Sequence, residues 1–350
     1  MPITKTNGNI GQSIHGNIRK YYGLLTVLCV ILGFTFPQFS VLSPYVSILL
    51  AILVFSMIIE HRVSDFTRIV NHPKKVLALI VSNLVLYPVI GILFSYFFLP
   101  SQDIYVGIIL LCFAPSPVVA ALWTELSKGD GAISVTTALF SMMLSIFTYP
   151  VILYFMGIAS PDLAVSIFKL LALSIFAPAA IALFLRLEED KYVPALKNRR
   201  FLRDFQTCEK SKIFHGHKTL GFVGPKIVFL SAKDTITLTS SFVSLIIIII
   251  AIAHMVSNVM SNKFSLILLM SIFIIVLLIA GFAYGYILGK LFKTPKRDSI
   301  PLLYSSSMRD GIIPLSVAIT YFSSSSTIAS TVLLIVMPFL VTGVYYILRR

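Results

Sequence analysis

Long apolar runs separated by short polar segments make up most of this chain. A helix needs about 20 apolar residues to cross a hydrocarbon core about 30 Å thick, and the main runs come close to that length or exceed it. The pattern therefore predicts an all-α membrane protein with ten transmembrane helices, at residues 21–37, 44–60, 74–99, 104–126, 131–156, 163–186, 240–258, 264–292, 299–321 and 327–348.

Composition indicates that lipid, and not water, is the solvent of these runs. Hydrophobic residues make up 57% of the chain and charged residues 12%, whereas a soluble domain carries about 25% charged residues. The formal net charge of +14 is also typical of nucleic-acid-binding proteins. Here the charges lie between the apolar runs, where they orient a membrane protein. We therefore expect membrane lipid as a partner, and no nucleic acid.

The basic residues also predict the orientation of the chain. With the N-terminal tail, residues 1–20, in the cytoplasm, nearly all Lys and Arg residues fall inside, and the extracellular segments hold only Lys263. This asymmetry predicts a multi-pass protein of the cytoplasmic (plasma) membrane with both termini inside. A basic loop at 187–239 also falls inside, where it either only orients the protein or also binds anionic headgroups.

Two of the ten predicted helices are interrupted by proline and polar residues. The fourth contains LLCFAPSPVVAALW and the ninth contains YSSSMRDGIIPLSVAI. Because they lie five helices apart and five is odd, a duplicated five-helix unit would insert upside down the second time. The pattern therefore predicts two inverted repeats, at 21–156 and 163–348, whose discontinuous fourth and ninth helices cross near the middle of the membrane.

The interruptions should leave backbone oxygens available for binding. A proline removes the hydrogen bond to the carbonyl four residues earlier, so Pro115 should free the carbonyl of Leu111. Unwound backbone survives in a membrane only where it is buried in protein or lines a wet cavity. We predict such helix breaks at Pro115, Pro117, Gly311 and Pro314.

The ninth helix also carries two adjacent charges, Arg309 and Asp310. Each costs about 2.5–3.5 kcal/mol at the middle of a membrane. One hypothesis is a structural ion pair that holds the broken helix to a neighbour. The other is a binding site in which Arg309 faces a hydrated hollow and receives an anionic group, while Asp310 takes a proton or a cation. The other candidate substrate-binding residues are Ser116, Ser307, Asn83 and Thr136.

The sequence does not suggest an enzyme or a metal centre. The three cysteines share no motif spacing. Neither a His and Glu pair on one helix nor a nucleophile motif occurs. We therefore expect no catalytic residue, no metal site and no cofactor other than a coupling ion, sodium or proton.

Several motifs occur in the order found in a known family. The segment APSPVVAALWTELSKGDGAISVTTALFSMMLSIFTYPVILY joins an Ala-Pro break, Lys-Gly-Asp and a Ser/Thr-rich helix that ends at proline. It resembles the bile acid:sodium symporter superfamily, which includes the arsenite permeases. FSMIIEHRVSDFTRIVNHPKKVLALIVSNLVLYPVI is similar to the second and third helices of that family. The resemblance implies ten helices in two inverted repeats. It also implies a panel of helices one, two, six and seven, and a substrate site where helices four and nine cross.

The chain departs from the family at positions that the resemblance makes important. Ala120 and Ala121 stand where the sodium-coupled branch has a Ser-Asn pair, and Ser307 stands where it has a glutamate. Asn83 stands at a glutamine ligand and keeps an amide, and Ser116 stands where the arsenite branch has a cysteine. The comparison of motifs therefore predicts neither the usual sodium site nor arsenite transport through a thiolate.

These observations predict a secondary active transporter that moves a small organic anion by alternating access, driven by a proton or cation gradient. Two alternatives stay open. One is a sodium-coupled symporter with a rearranged ion site. The other is a non-transporting membrane sensor or regulator that signals through the basic loop. The sequence leaves the oligomeric state open.

Overall fold

The computed structural model describes residues 24–60, 73–98, 102–196, 233–258 and 264–349. These residues form helices and short connections, and no strand occurs among them. The helices are α1 (Leu24–Thr35), α2 (Val46–Glu60), α3 (Pro73–Phe98), α4 (Gln102–Cys112), α5 (Val119–Leu126), α6 (Gly131–Phe155), α7 (Pro161–Leu171, continued by Ala172–Phe176 and Ala177–Leu196), α8 (Lys233–Asn258), α9 (Phe264–Leu291), α10 (Lys296–Ser307), α11 (Ile312–Tyr321) and α12 (Ile328–Arg349).

The helices confirm an all-α, multi-pass membrane protein. Seven of the described helices are long and apolar enough to cross a membrane. The predicted first helix corresponds to the shorter α1, and the predicted fourth and ninth helices are each divided in two, as α4 with α5 and α10 with α11. The grouping of these helices into inverted repeats at 21–156 and 163–348 stays a prediction. The tail at 1–20 and the greater part of the loop at 187–239 lie outside the described residues.

The outer surface of the bundle is apolar, as lipid contact requires. Large side chains such as Tyr96 (82% exposed), Phe155 (80%) and Leu173 (73%) point away from the protein. A soluble protein of this size would bury such residues, because each costs free energy in water. The exposed apolar faces therefore agree with a membrane as the surrounding solvent.

Two helices contain a widened turn ahead of a proline. In α3 the segment Ser82–Leu86 is a π-helix, and the N–H of Tyr87 donates to the carbonyl of Ser82. In α7 the segment Ala172–Phe176 has the same geometry. Pro88 and Pro178 follow at the same distance from the start of each segment. Because proline cannot donate an N–H, the local hydrogen bonds shift to the wider π pattern, which is frequent at functional sites.

The helices pack in two sets, one around α2 and one around α9. In the first set, α2 packs against α7 and α8, and the 3-10 segment Pro37–Tyr45 packs against α8. In the second set, α9 packs against α10 and α12, and α5 packs against α6 and α10. Helix α11 contacts both sets, through α2 and α7 on one side and through α4 and α12 on the other. The segment just before α11 therefore lies where the two sets meet.

A row of glycines on α9 allows α10 to approach closely. Gly281 and Gly285 are four residues apart and lie on one face of the helix. A Cβ atom at Gly285 would lie 2.5 Å from the carbonyl oxygen of Leu302 and 2.7 Å from Cα of Leu303. The Ser306 hydroxyl donates to the Gly281 carbonyl at 2.9 Å. The hydrophobic effect does not drive helices together in lipid. Small residues such as these glycines instead allow the close backbone packing that holds two membrane helices together.

We predict that Gly285→Val destabilises the protein while Gly343→Val does not. A side chain at Gly285 must displace the backbone of α10, and overpacking costs about 1–3 kcal/mol or more. Gly343 is also helical, but a Cβ atom there meets nothing within 4 Å. Thermal unfolding of both variants in detergent, followed by the loss of monodisperse protein, measures the difference. Equal melting temperatures would show that the α9–α10 contact is looser than described.

Candidate functional site

The two interrupted helices meet at their breaks. Helix α4 ends at Cys112 and α5 begins at Val119, while α10 ends at Ser307 and α11 begins at Ile312. The N–H of Asp310 in the second break donates to the carbonyl of Pro115 in the first break at 2.9 Å. The guanidinium Nη1 of Arg309 donates to the carbonyl of Ala114 at 2.8 Å. Backbone oxygens of one break are thus satisfied by the other.

The first break exposes different carbonyls from those that its prolines predict. The Leu111 carbonyl is not free, because it accepts the N–H of Ala114 at 3.1 Å. The chain tightens there into a last 3-10 turn, which is common at helix ends. The carbonyls that reach the second break belong to Ala114 and Pro115. The N–H of Ser116 donates to the Ser141 hydroxyl at 3.2 Å, which ties the break to α6.

The second break lies before Pro314 and not at it. The chain is non-helical from Met308 to Gly311, and Pro314 is in the first turn of α11. A proline is tolerated there because the N–H groups of a first turn have no helical acceptor. Gly311 allows α12 to approach, since a Cβ atom at this position would lie 2.9 Å from Cδ2 of Leu334.

The Arg309 side chain is fully buried, between Tyr87 of α3 and the first break. Its exposed fraction is 0%, so the expectation that it faces a hydrated hollow is wrong for this conformation. The Cζ atom lies 3.4 Å from the centre of the Tyr87 ring, a cation–π contact that favours a buried cation. Two nitrogens, Nε and Nη2, have no hydrogen-bond partner among the described residues. The charge is therefore stacked and anchored, but it is incompletely hydrogen-bonded.

Asp310 caps a helix and does not neutralise Arg309. Its Oδ1 atom accepts the N–H of Ile312 at 2.8 Å and the N–H of Ile313 at 3.3 Å, which are the first two N–H groups of α11. Carboxylates are favoured at this position because the N-terminus of a helix carries partial positive charge. Among the described residues no ion pair joins Arg309 to a carboxylate. The structural ion pair that the sequence allowed is therefore absent from this part of the chain.

The remaining predicted residues differ in how close they come to the breaks. Ser116 lies inside the first break, fully buried, and its hydroxyl has no partner among the described residues. Asn83 is buried in the π turn of α3, one turn before Tyr87, and its Nδ2 also lacks a described partner. Ser307 and Thr136 donate to carbonyls of their own helices, at 3.3 Å and 2.8 Å. Serine and threonine in membrane helices commonly bond in this way.

Two tyrosines at the site were missed by the sequence analysis. The Tyr87 hydroxyl donates to the Ser306 carbonyl near the end of α10. The Tyr149 hydroxyl donates to the Leu110 carbonyl near the end of α4 at 2.9 Å. In a regular helix the Ser306 carbonyl would accept the N–H of Asp310, and the Leu110 carbonyl would accept the N–H of Ala114. Both of these N–H groups donate to other carbonyls, so the tyrosine hydroxyls take their place. The available signal was a repeated Tyr-Pro-Val-Ile, at 87–90 and 149–152.

Further buried hydroxyls lie on α10 and α12, the helices next to the second break. Those of Ser305 on α10 and of Ser330 and Thr331 on α12 have no partner among the described residues. Apolar membrane helices seldom bury polar groups without a partner, because each costs free energy.

Comparison with known proteins finds the same resemblance as the motifs. The sequence model of the Sodium Bile acid symporter family matches residues 47–195. The resemblance to the bile acid:sodium symporter superfamily is confirmed. The match includes the first break and ends before the second, so Arg309 and Asp310 lie outside it.

Two curated relatives extend the comparison. The chain is 26% identical over 181 residues to the Uncharacterized sodium-dependent transporter YocS of Bacillus subtilis (strain 168), which covers 50% of this chain and 56% of that protein. It is 25% identical over 356 aligned positions to the Arsenical-resistance protein Acr3 of Alkaliphilus metalliredigens (strain QYMF), covering 93% of this chain and 91% of that protein. The chain thus spans little more than half the length of the first relative. By their names, the first relative is a sodium-dependent transporter and the second is an arsenical-resistance protein.

We predict that Tyr149→Phe destabilises the protein, whereas Tyr154→Phe leaves its stability unchanged. The first change leaves the Leu110 carbonyl buried without its donor, which costs about 1–3 kcal/mol. Tyr154 is on the same helix but is 46% exposed, so its hydroxyl is not needed inside the bundle. Melting temperatures in detergent compare the two variants. A Tyr149→Phe protein as stable as the parent would remove this tyrosine from the support of the break.

Proposed function

We propose that the protein is a secondary active transporter of a small organic anion and that Arg309 binds the anion. The observation that carries the proposal is a fully buried guanidinium with two nitrogens lacking partners and no carboxylate partner among the described residues. Burying an unneutralised charge is costly, and in a membrane interior an ionisable residue is by default a functional candidate. A bound anion would supply both the missing charge and the missing acceptors.

The meeting of two broken helices supports a carrier. Discontinuous helices that meet in the membrane are characteristic of carriers built from inverted repeats, and we infer that residues 21–156 and 163–348 form such repeats here. We further propose that the protein lies in the plasma membrane with both termini in the cytoplasm. These inferences agree with the symporter family match, which names neither the substrate nor the coupling ion of this chain.

Helix α11 provides the gate in this proposal. Its Ser316 hydroxyl lies 2.9 Å from the Ser47 hydroxyl of α2. Its Tyr321 hydroxyl donates to the Ser166 carbonyl of α7 at 2.9 Å. In the predicted topology both contacts are near the extracellular ends of their helices. Because Arg309 is buried in this conformation, these contacts would separate during alternating access to let the anion reach it.

Asp310 would couple transport to a gradient. Its Oδ1 caps α11, and in this proposal its second carboxylate oxygen takes up a proton or cation. Sodium coupling through a rearranged site is the second candidate, since the buried hydroxyls of Ser116, Ser305, Ser330 and Thr331 could supply oxygen ligands.

We predict that Arg309→Ala abolishes transport of the anion, while Lys169→Ala preserves it. The probe is the best ligand in a thermal-shift screen of the potassium salts of acetate, pyruvate, benzoate and cholate, with and without sodium. Uptake of that radiolabelled anion into proteoliposomes should fall at least about tenfold in Arg309→Ala, because a hydrogen-bonded charge is worth about 1.5–3 kcal/mol.

Lys169→Ala removes a cationic side chain that is exposed on α7, so it controls for a general change in charge. Monodispersity and melting temperature identify an Arg309→Ala protein that has failed to fold. Unchanged uptake by a folded Arg309→Ala protein would contradict the proposal. A strict sodium requirement at a fixed proton gradient would favour the sodium-coupled candidate.

We predict that Asp310→Asn still caps α11 but no longer couples transport to an ion gradient. Asparagine also caps helices well, whereas alanine at such a position costs about 0.5–2 kcal/mol. Asp310→Asn should therefore keep the parent melting temperature and the exchange of internal for external anion, and it should lose uphill accumulation. Asp310→Ala should lose stability as well. Uphill accumulation by Asp310→Asn would show that Asp310 acts only as a cap.

A further inference from the structure

We propose that the ligand of Arg309 is a monocarboxylate held by two parallel hydrogen bonds along one edge of the guanidinium group. The proposal rests on the proposed function, which requires only that Arg309 binds an anion. It adds the chemical class of the anion and the way in which the side chain recognises it.

The first argument concerns the Arg309 nitrogens that have no hydrogen-bond partner among the described residues. Arg309 uses Nη1 for the Ala114 carbonyl, and Nε and Nη2 have no described partner. In a guanidinium group Nη1 lies on the same side as Cδ, so Nε–H and one N–H of Nη2 point in the same direction. These two N–H groups form the fork that matches the two oxygens of a carboxylate. The remaining donors are therefore one complete recognition edge and not two unrelated atoms.

The second argument is that the edge is held in place before any ligand arrives. The Tyr87 ring covers one face of the guanidinium, with Cζ 3.4 Å from its centre. The ring is itself fixed, because the Tyr87 hydroxyl donates to the Ser306 carbonyl. The bond from Nη1 to Ala114 stops the group from turning within its plane. A fork that is already ordered loses less entropy when it binds.

The third argument concerns charge. Arg309 supplies one positive charge, and the adjacent Asp310 is the nearest carboxylate along the chain. A dianion would bury a second negative charge without compensation, at a high cost in free energy. A monoanion neutralises Arg309 and leaves Asp310 free to take up a proton. A planar monocarboxylate satisfies both the geometry and the charge, because it gives each of the two parallel N–H groups its own acceptor oxygen, whereas chloride offers them a single shared acceptor.

The experiment compares ligands on the parent protein and on Arg309→Lys. Lysine keeps the charge but has no planar fork. Affinities of purified protein in detergent for potassium benzoate, acetate, chloride, phosphate and succinate, and for neutral benzamide, come from thermal-shift titration. We expect the parent to bind benzoate or acetate at least about tenfold more tightly than the others. We expect Arg309→Lys to lose at least about tenfold in affinity for that monocarboxylate.

The possible results separate this proposal from the proposed function. Arg309→Lys that binds the monocarboxylate as tightly as the parent overturns the paired edge and leaves anion transport standing. Preference of the parent for succinate overturns the monocarboxylate and leaves organic-anion transport standing, whereas preference for chloride, phosphate or benzamide overturns both. Absence of binding by every anion overturns both. If Arg309→Lys does not fold, the preference of the parent among the six compounds decides the question.

Discussion

The structure depends on the pairing of two broken helices inside the membrane. An interrupted helix leaves backbone groups without partners, and no water is available in lipid to satisfy them. Here the N–H of Asp310 and the side chain of Arg309 reach the carbonyls of Pro115 and Ala114. Neither break would be tolerable alone at this depth. The two broken helices therefore depend on each other for hydrogen bonds to their backbones, whether or not a substrate is bound.

Neighbouring helices complete this arrangement with side chains. Tyr87 and Tyr149 each donate to a carbonyl that the interruption has left without its usual donor. Tyr87 therefore has two roles. Its hydroxyl donates to a backbone carbonyl, and its ring stacks on the Arg309 guanidinium and stabilises the charge. The glycines of α9 bring α10 close enough for the Ser306 hydroxyl to bond across the interface. In the proposed function, the residues that support the breaks are thus also the ones that recognise the ligand.

Much of the fold could be predicted from the sequence, because helix breaks and apolar runs are local features. The interruptions near Pro115 and Arg309 follow from residue types within a few positions. The partners of these segments could not be predicted, because they depend on which helices are neighbours. The sequence shows a carboxylate at Asp310, but it does not show that this carboxylate caps α11, because the cap depends on where the helix begins. The burial of Arg309 against Tyr87 likewise joins residues more than two hundred positions apart.

The π turns in α3 and α7 have a consequence for how these helices meet the bilayer. An α-helix turns through about 100° per residue, and each widened turn contains one residue more than a regular turn. The strip of side chains facing the acyl chains therefore shifts sideways around the helix at Ser82–Leu86 and at Ala172–Phe176. A helical-wheel projection of the whole segment averages two different registers. Each half of α3 and of α7 therefore has its own lipid-facing side. In α3 the two halves meet at the π turn, where Asn83 is buried inside the protein.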